Sequence, residues 1–575
     1  MNSDNYEFSK SSHPQSVSEY TAYTDKQWNN VPDINSGVYN TNGLALVTWD
    51  LTSIYNASGL SDVSDLFLAV PLVTVATVSA GATTLAQPTA GYSLCSLKSN
   101  YQNLIHQIEV TSNGKAVNDM QPFVNVYENF KLLSQLSATD LKSNTPSFNI
   151  NECLDNEKSV QWVGAAANGK PGLGLCNNLP FSTAAPGTVA IAQNANQYNN
   201  AIYNRASKII DTTANSTFNN IVGTVGSLQN IQAEFKSYYT VVGAAAPYAM
   251  VWYDVALIPL KYICDCVDKM GLVKKLDIGL RVYFNIGCMQ ITVVNPNATT
   301  CYYGAIRGTT FSNTCPLSIN YLGVTSANGG LPATTDTITA GVYIAKPPST
   351  FGPYTSITLP AIPAHQMPSC RCYYSQVKLD PQRMLTYIEE NRSKQVVYEN
   401  FLFNQYTSIG SSATFSQLIQ SGIKNPIGVA IIPMISTTAS SGLTGYAQYA
   451  SPYDQCPSSY APLSLTNLSV NLGGVNVLNT TLYYTFENFL EQVSLAESLT
   501  SSDIGISCGL INQSWWEMNR VYFVDLSRGR ESDKATMRNL VISFNNNNLV
   551  PIDLMVFTIY LDKFTIDVET GIVQK

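Results

Sequence analysis

Charge is scarce in this chain. Asp, Glu, Lys and Arg make up 12% of its 575 residues, about half the ~25% usual in globular proteins. Asn, Ser and Thr supply the polarity instead. A chain this long with so little charge is expected to cover much of its surface with copies of itself. No run of Lys or Arg occurs anywhere, and the net charge is −8. Tight binding to nucleic acid needs many cations to displace the counterions around phosphates. The first 36 residues read as a polar N-terminal tail, yet they hold only Lys10 and Lys26 as cations. Direct, tight nucleic-acid binding is therefore not expected.

Histidine is nearly absent. Only His13, His106 and His365 occur. The C-x-C pairs Cys264/Cys266 and Cys370/Cys372 have no C-x-x-C companion, so no zinc or other metal site is assigned. The first 30 residues lack the apolar core of a secretory signal. The twelve cysteines are read as reduced, buried thiols of a cytosol-like compartment. Long apolar runs are also missing. The strongest, LFLAVPLVTVATVSAGA at 66–82, is rich in β-branched residues and broken by Pro71, Thr74 and Thr77. A membrane helix needs about 20 apolar residues in succession, so this run is read as a buried strand and no membrane span is assigned.

What is present is mostly strand and turn. LMVFTIYL (554–561) is continuously apolar, as a strand buried on both faces would be. Phe564, Ile566 and Val568 then alternate with Lys563, Thr565 and Asp567, a period of two. Helices are few. One is expected from Asp380, an N-cap, and Pro381, with Met384, Leu385 and Ile388 on one face. A second is expected in YENFKLLSQLS, where Phe130, Leu133 and Leu136 share a face.

Three pairs of segments repeat in the same order. SGLSDVSDLFLAVPLV (58–73) matches SGIKNPIGVAIIPMI (421–435). IEVTSNGKAV (108–117) matches LSVNLGGVNV (468–477). VNVYENF (124–130) matches YYTFENF (483–489). Pro71 to Glu128 spans 57 residues and Pro433 to Glu487 spans 54. Ordered anchors at such spacing point to a tandem duplication. RVYF occurs at 281–284 and 520–523, but at a spacing that does not fit the set. The expected domains are a first copy at 37–379, a linker helix at 380–394 and a second copy at 395–575. Two Gly/Pro/Asn/Thr-rich insertions in the first copy, near 177–235 and 293–360, are expected to be long surface loops. The expected fold class is all-β: two tandem jelly-roll sandwiches, a double jelly roll, with short connecting helices.

No catalytic, cofactor-binding or metal residues are assigned. Glu389 and Glu390 are neighbours on one helix and point to different sides. Glu128 and Glu487 sit at matching positions of the two repeats, and a helix-start role is expected for both. His106, in the alternating stretch NLIHQIEV, is expected to be a satisfied strand histidine. GKPGLGLCNN (169–178) lacks the Gly-Lys-Ser/Thr ending of a phosphate loop.

The run FVNVYENFKLLSQLSATDLKSNTPSFNINE with QWVGAAANGKPGLGLCNNLPF resembles the first half of major capsid proteins of virophages and polinton-like viruses. YDVALIPLKYICDCVDKMGLVKKLDIGLRVYFN resembles the same half. CRCYYSQVKLDPQRMLTYIEENRSKQVVYENF resembles the segment joining their two domains. The stretch from GLINQSWWEMNRVYF to FTIDVETGIV resembles their C-terminal end. The resemblance implies a double jelly-roll capsid protein and no enzyme. It implies a homotrimer forming a pseudo-hexagonal capsomer, neighbouring capsomers as partners, and a single jelly-roll penton protein at the vertices. It also implies an icosahedral shell around DNA and a virion location, assembled inside the host cell. The alternatives are a β-sandwich carbohydrate-binding or adhesin protein, and a β-sandwich glycoside hydrolase, for which no convincing carboxylate pair is found.

Overall fold

The computed structural model describes most of residues 24–140, 237–346, 367–436, 463–496, 507–527 and 536–575, together with 189–190. Sixteen strands carry the architecture. In the first half they are β1 (Asp25–Pro32), β2 (Ala45–Asp50), β3 (Leu60–Ala80), β4 (Ile105–Ser112), β5 (Lys115–Asn118), β6 (Tyr248–Pro259), β7 (Ile278–Phe284) and β8 (Arg371–Lys378). In the second they are β9 (Lys394–Ile409), β10 (Thr414–Ile423), β11 (Pro426–Ile435), β12 (Leu465–Leu472), β13 (Val475–Asn479), β14 (Tyr522–Asp525), β15 (Arg538–Asn546) and β16 (Ile552–Ile566).

All pairing among them is antiparallel. In the first half one sheet runs β1-β8-β3-β6 and the other β2-β7-β4-β5. In the second half one sheet runs β9-β16-β11-β14 and the other β10-β15-β12-β13. The two orders are identical once eight is added to each strand number. Eight strands in two such sheets, with consecutive strands alternating between sheets at the start and end of the unit, form a jelly roll. The chain is thus a double jelly roll.

The repeated segments occupy equivalent places. Pro71 lies in β3 and Pro433 in β11. A proline inside a sheet removes a ladder donor and is tolerated only where no acceptor waits for it. Along one edge of β3, pairing with β8 ends at Ala69 and pairing with the strand Thr337–Ile344 begins at Leu72. Pro71 falls in the gap. Pro433 lies beyond Ile431, where β14 stops pairing with β11. The second repeated pair forms the β4–β5 and β12–β13 hairpins. The third forms the helix after each hairpin: α1 (Val124–Gln135) and α4 (Phe486–Leu495). RVYF falls in β7 in one half and runs into β14 in the other, which are not counterparts.

Three expectations need correction. Residues 25–32 do not belong to a tail; they form β1, paired along its length with β8. The strand escapes a hydrophobicity reading because it lies at the edge of its sheet and keeps most of its side chains exposed. The insertion near 293–360 is not loop alone. Its strands Gln290–Asn297, Thr300–Arg307 and Thr337–Ile344 widen the first sheet. They are Thr- and Gly-bearing, so they read as loop, and β3 is long enough to receive them because it runs on past β8. Helix α3 (Pro381–Glu390) is capped by Asp380, whose carboxylate accepts from the Gln382 N–H, but Leu385 is exposed and only Ile388 is buried. The insertion near 177–235 lies outside the described residues, apart from 189–190.

The core is one continuous set of buried apolar side chains running through both rolls. β16 explains why 554–561 is apolar without a break. One face of β16 meets its own roll and the other meets the first roll, so Ile552 to Ile559 are all buried.

Candidate functional site at the junction of the two rolls

The junction is built on α1. Its N-terminal flanking residue, Phe123, takes a left-handed conformation (φ 61°) with no side-chain cap. That turn aims the helix into the second roll, and ten of its twelve residues are buried. Phe123 packs on Phe403 of β9 with ring centroids 4.8 Å apart. One turn later Tyr127 packs on Phe401 of β9 at 4.7 Å and on Phe557 of β16 at 5.8 Å. Phe130 follows, 6.0 Å from Phe523 of β14 and 6.4 Å from Phe489 of α4. Aromatic pairs at these distances each contribute about 0.5–1.5 kcal/mol beyond the area they bury.

Polar contacts fix the register. Lys131 Nζ lies 2.7 Å from Glu399 Oε2, with both side chains largely buried. Helix α2 (Asp265–Met270) approaches the same strand: the Glu399 N–H donates to Asp265 Oδ2 at 2.9 Å and Lys394 donates to the Met270 carbonyl at 2.8 Å. Tyr398 donates to the Val117 carbonyl of β5 or to Asp562 Oδ2, both within hydrogen-bond reach. Asn113, in the β4–β5 turn, donates to the Gly571 carbonyl at 2.7 Å. The Leu510 N–H donates to the Leu133 carbonyl at 2.8 Å.

Glu128 lies inside this junction rather than at a helix start. It is the fifth residue of α1, buried, with Oε2 unpartnered. Burial pushes its carboxyl up to about 8; Lys131 opposes the shift, while Glu399 and Asp265 add to it. Glu487 differs. It is exposed in the first turn of α4, a helix capped by Thr485 and Asn488, each side chain serving the other's backbone N–H. The same triplet therefore takes two settings, because α1 starts a turn earlier than α4. Of the two carboxylates only Glu487 keeps the expected helix-start position. What the triplets bring together is their phenylalanines.

His106 sits in β4 as expected, but it is not satisfied: its Nδ1 is buried without a partner. Burial lowers its pKa to about 4, and the neutral ring packs edge-on against Phe123 at 4.9 Å. Glu389 and Glu390 are exposed on α3. Cys264, Cys266, Cys370, Cys372 and Cys508 are buried and unpaired. Among the described residues no three His, Cys, Asp or Glu side chains gather as a metal site would require, and no helix is long and apolar enough to cross a membrane. His13, His365 and 169–178 lie outside the described residues. The aromatic receivers Phe401, Phe403 and Phe557 went unassigned in the sequence. Their signal was the unbroken apolar run of β16, and Phe401 itself closes a third Tyr-Glu-Asn-Phe, at 398–401.

The chemistry offered here is adhesion. A buried helix, an aromatic pocket and a desolvated ion pair fasten one sandwich to the next. No protein-family model matches the chain, and no curated protein does. Among solved structures, one titled as the Sputnik virophage by cryo-EM aligns with 98% of this chain and 90% of its own, at 10% identity and a TM-score of 0.46. The mavirus major capsid protein aligns with 98% of this chain and 92% of its own, at 9% identity and a TM-score of 0.41. The Faustovirus major capsid protein aligns with 97% and 93%, at 9% identity and a TM-score of 0.41.

Proposed function

We propose that this chain is the major capsid protein of a DNA virus: a structural protein, not an enzyme, located in the virion shell. Three copies form a homotrimeric capsomer of pseudo-hexagonal outline, and capsomers tile an icosahedral lattice with a separate single jelly-roll protein at the vertices. The observation that carries this reading is the repetition itself. Two jelly rolls of identical strand order stand joined through a buried, head-to-tail contact, and a contact of that kind generates rings when its rotation closes. The low charge of the chain and the buried, unpaired state of Cys264, Cys266, Cys370, Cys372 and Cys508 favour an intracellular assembly product over a disulfide-bearing adhesin.

The test is negative-stain imaging and sedimentation of the purified protein. Trimeric particles with a hexagonal outline are expected. A chain that stays monomeric at high concentration overturns the reading.

A further inference from the structure

Three reactive groups converge where α1 crosses β9. Lys131 Nζ lies 2.7 Å from Glu399 Oε2, and the two side chains are only 13% and 10% exposed. Glu128 stands one turn back on α1, three residues from Lys131, where helical neighbours face each other. Its side chain is buried, and Oε2 has no partner among the described residues. The charges acting on it are Lys131 on its own helix, Glu399 on β9 and Asp265 on α2. Asp265 is engaged by the Glu399 N–H. The surroundings are otherwise aromatic or apolar: Tyr127 lies on Phe401 at 4.7 Å, and the buried Cys264 sits within reach of both Glu128 and Lys131.

An ion pair has no use for the second carboxyl. Beside it, an ionised Glu128 adds like charge and a neutral one adds an unmet hydrogen-bonding group. Burial pushes Glu128 up to about 8, so it is held as the neutral acid at neutral pH. An amine, a carboxyl and a spare acid, in contact and out of water, are what condensation to an amide requires. The ion pair and its neutral form, amine plus acid, differ by one proton moved along the 2.7 Å contact. Apolar surroundings penalise the charged form. Reactants held at such a distance act at effective concentrations of up to about 10⁵–10⁸ M, and exclusion of water protects the product from hydrolysis.

We propose that Lys131 and Glu399 condense to an isopeptide bond, with Glu128 as the proton carrier, tying α1 of the first roll covalently to β9 of the second. A proton first passes from the Lys131 ammonium to the Glu399 carboxylate. The lone pair of the neutral Nζ then attacks Glu399 Cδ. The Nζ–Cδ bond forms and the Cδ–OH bond breaks. The nitrogen gives a proton to Glu128, and Glu128 gives its own to the departing hydroxyl, which leaves as water. Glu128 ends as it began, and no oxidant or further reactant is used. The folded chain starts with the ion pair and ends with the amide. The bond closes a loop across 268 positions of sequence. It adds a covalent tie to the packing of the junction, whatever the chain assembles into.

Intact-mass spectrometry of the full chain reads the reaction. Wild type incubated to constant mass is expected to weigh one water less than its sequence, and digestion should release one branched peptide joining the Lys131 and Glu399 segments. Lys131→Arg keeps the positive charge without a comparable nucleophile and should hold its full mass. Glu128→Gln keeps the shape without the proton and should react about a hundredfold more slowly. Glu399→Gln should release ammonia instead and arrive at the same final mass as the wild type, since the two products are the same molecule. A wild type that keeps its full mass overturns the proposal, and that reading needs no variant to fold. Water lost equally from Lys131→Arg places the dehydration elsewhere and overturns it too. An unchanged rate in Glu128→Gln removes Glu128 from the reaction and overturns its role as proton carrier.

Discussion

Phe130 and Phe489, the phenylalanines of the two Glu-Asn-Phe triplets that lie on helices, meet with their ring centroids 6.4 Å apart. They come from equivalent helices of two equivalent rolls, yet they meet asymmetrically. Phe130 reaches out of its roll to touch Phe523 of the other. Phe489 stays in its own, stacked on Trp516 at 5.7 Å, whose ring carries Arg520 on its face at 4.1 Å. A symmetric pair would close a dimer of rolls. An asymmetric one makes the contact between the rolls heterologous.

Truncating either ring is expected to be costly. Both are fully buried, and Phe→Ala in a core costs about 3–5 kcal/mol. Because the rings touch, the double variant F130A/F489A should fall short of the sum of the singles by roughly 0.5–1.5 kcal/mol. Denaturant titration of the four proteins measures this; strict additivity would show that the contact couples nothing.

The sequence carried this much because the repeat was written in residues whose physics is local. A strand with a proline at a pairing gap, a hairpin with Gly at its turn and a helix with Phe on its inner face each leave a legible pattern. β1 was illegible for the opposite reason. At a sheet edge, Asp25 to Pro32 needs no apolar period, so Trp28 looked like part of a tail. The junction was illegible because Phe401 and Phe403 lie on the outward side of β9, where alternation says solvent. Only the unbroken apolar run of β16 hinted that something covered that side, and nothing in it named α1 as the cover.

Glu128 should make stability fall as pH rises. Its folded pKa, about 8, lies above the ordinary carboxylate range of about 4.3. Between those values the folded chain holds a proton that the unfolded chain has lost, so the stability contributed by the neutral carboxyl is full below about pH 4.5 and lost as pH approaches 8. The groups facing it are Lys131 and Tyr127 on its own helix, Glu399 on β9, and Asp265 and Cys264 at α2. Glu128→Gln keeps the shape and removes the titration. Thermal melts of both proteins from pH 5 to 8.5 should show a falling midpoint for the wild type and a shallower fall for the variant, the two differing by a few kcal/mol at the alkaline end. Parallel profiles would remove Glu128 from the account.

The Lys131–Glu399 pair separates contact from complementarity. Both side chains are nearly out of water. Glu399→Ala strands the Lys131 ammonium and should cost about 3–5 kcal/mol, whereas K131M/E399L together should be near neutral or stabilising, since the desolvation of two ions disappears with their attraction. If the single and double variants lose equal stability, the pair is not the desolvated lock described here.

Gly509 tests whether the docking of α1 is rigid. Its φ is +63°, and a Cβ there would run into the main chain of Leu133 and Ser134, at the C-terminal end of α1. Backbone cannot step aside as a side chain can, and the adjacent Leu510 N–H is already committed to the Leu133 carbonyl. Gly474, at the β12–β13 turn, also has a positive φ (+87°) but open space around it. Gly474→Ala should therefore cost only the left-handed strain, about 1 kcal/mol. Gly509→Ala should cost that plus the loss of the Leu133 contact, about 2–3 kcal/mol in all. Hydrogen exchange locates the damage: amides of α1 should exchange faster in Gly509→Ala and unchanged in Gly474→Ala. Equal effects of the two substitutions on α1 would mean that the helix is held by its aromatic face alone.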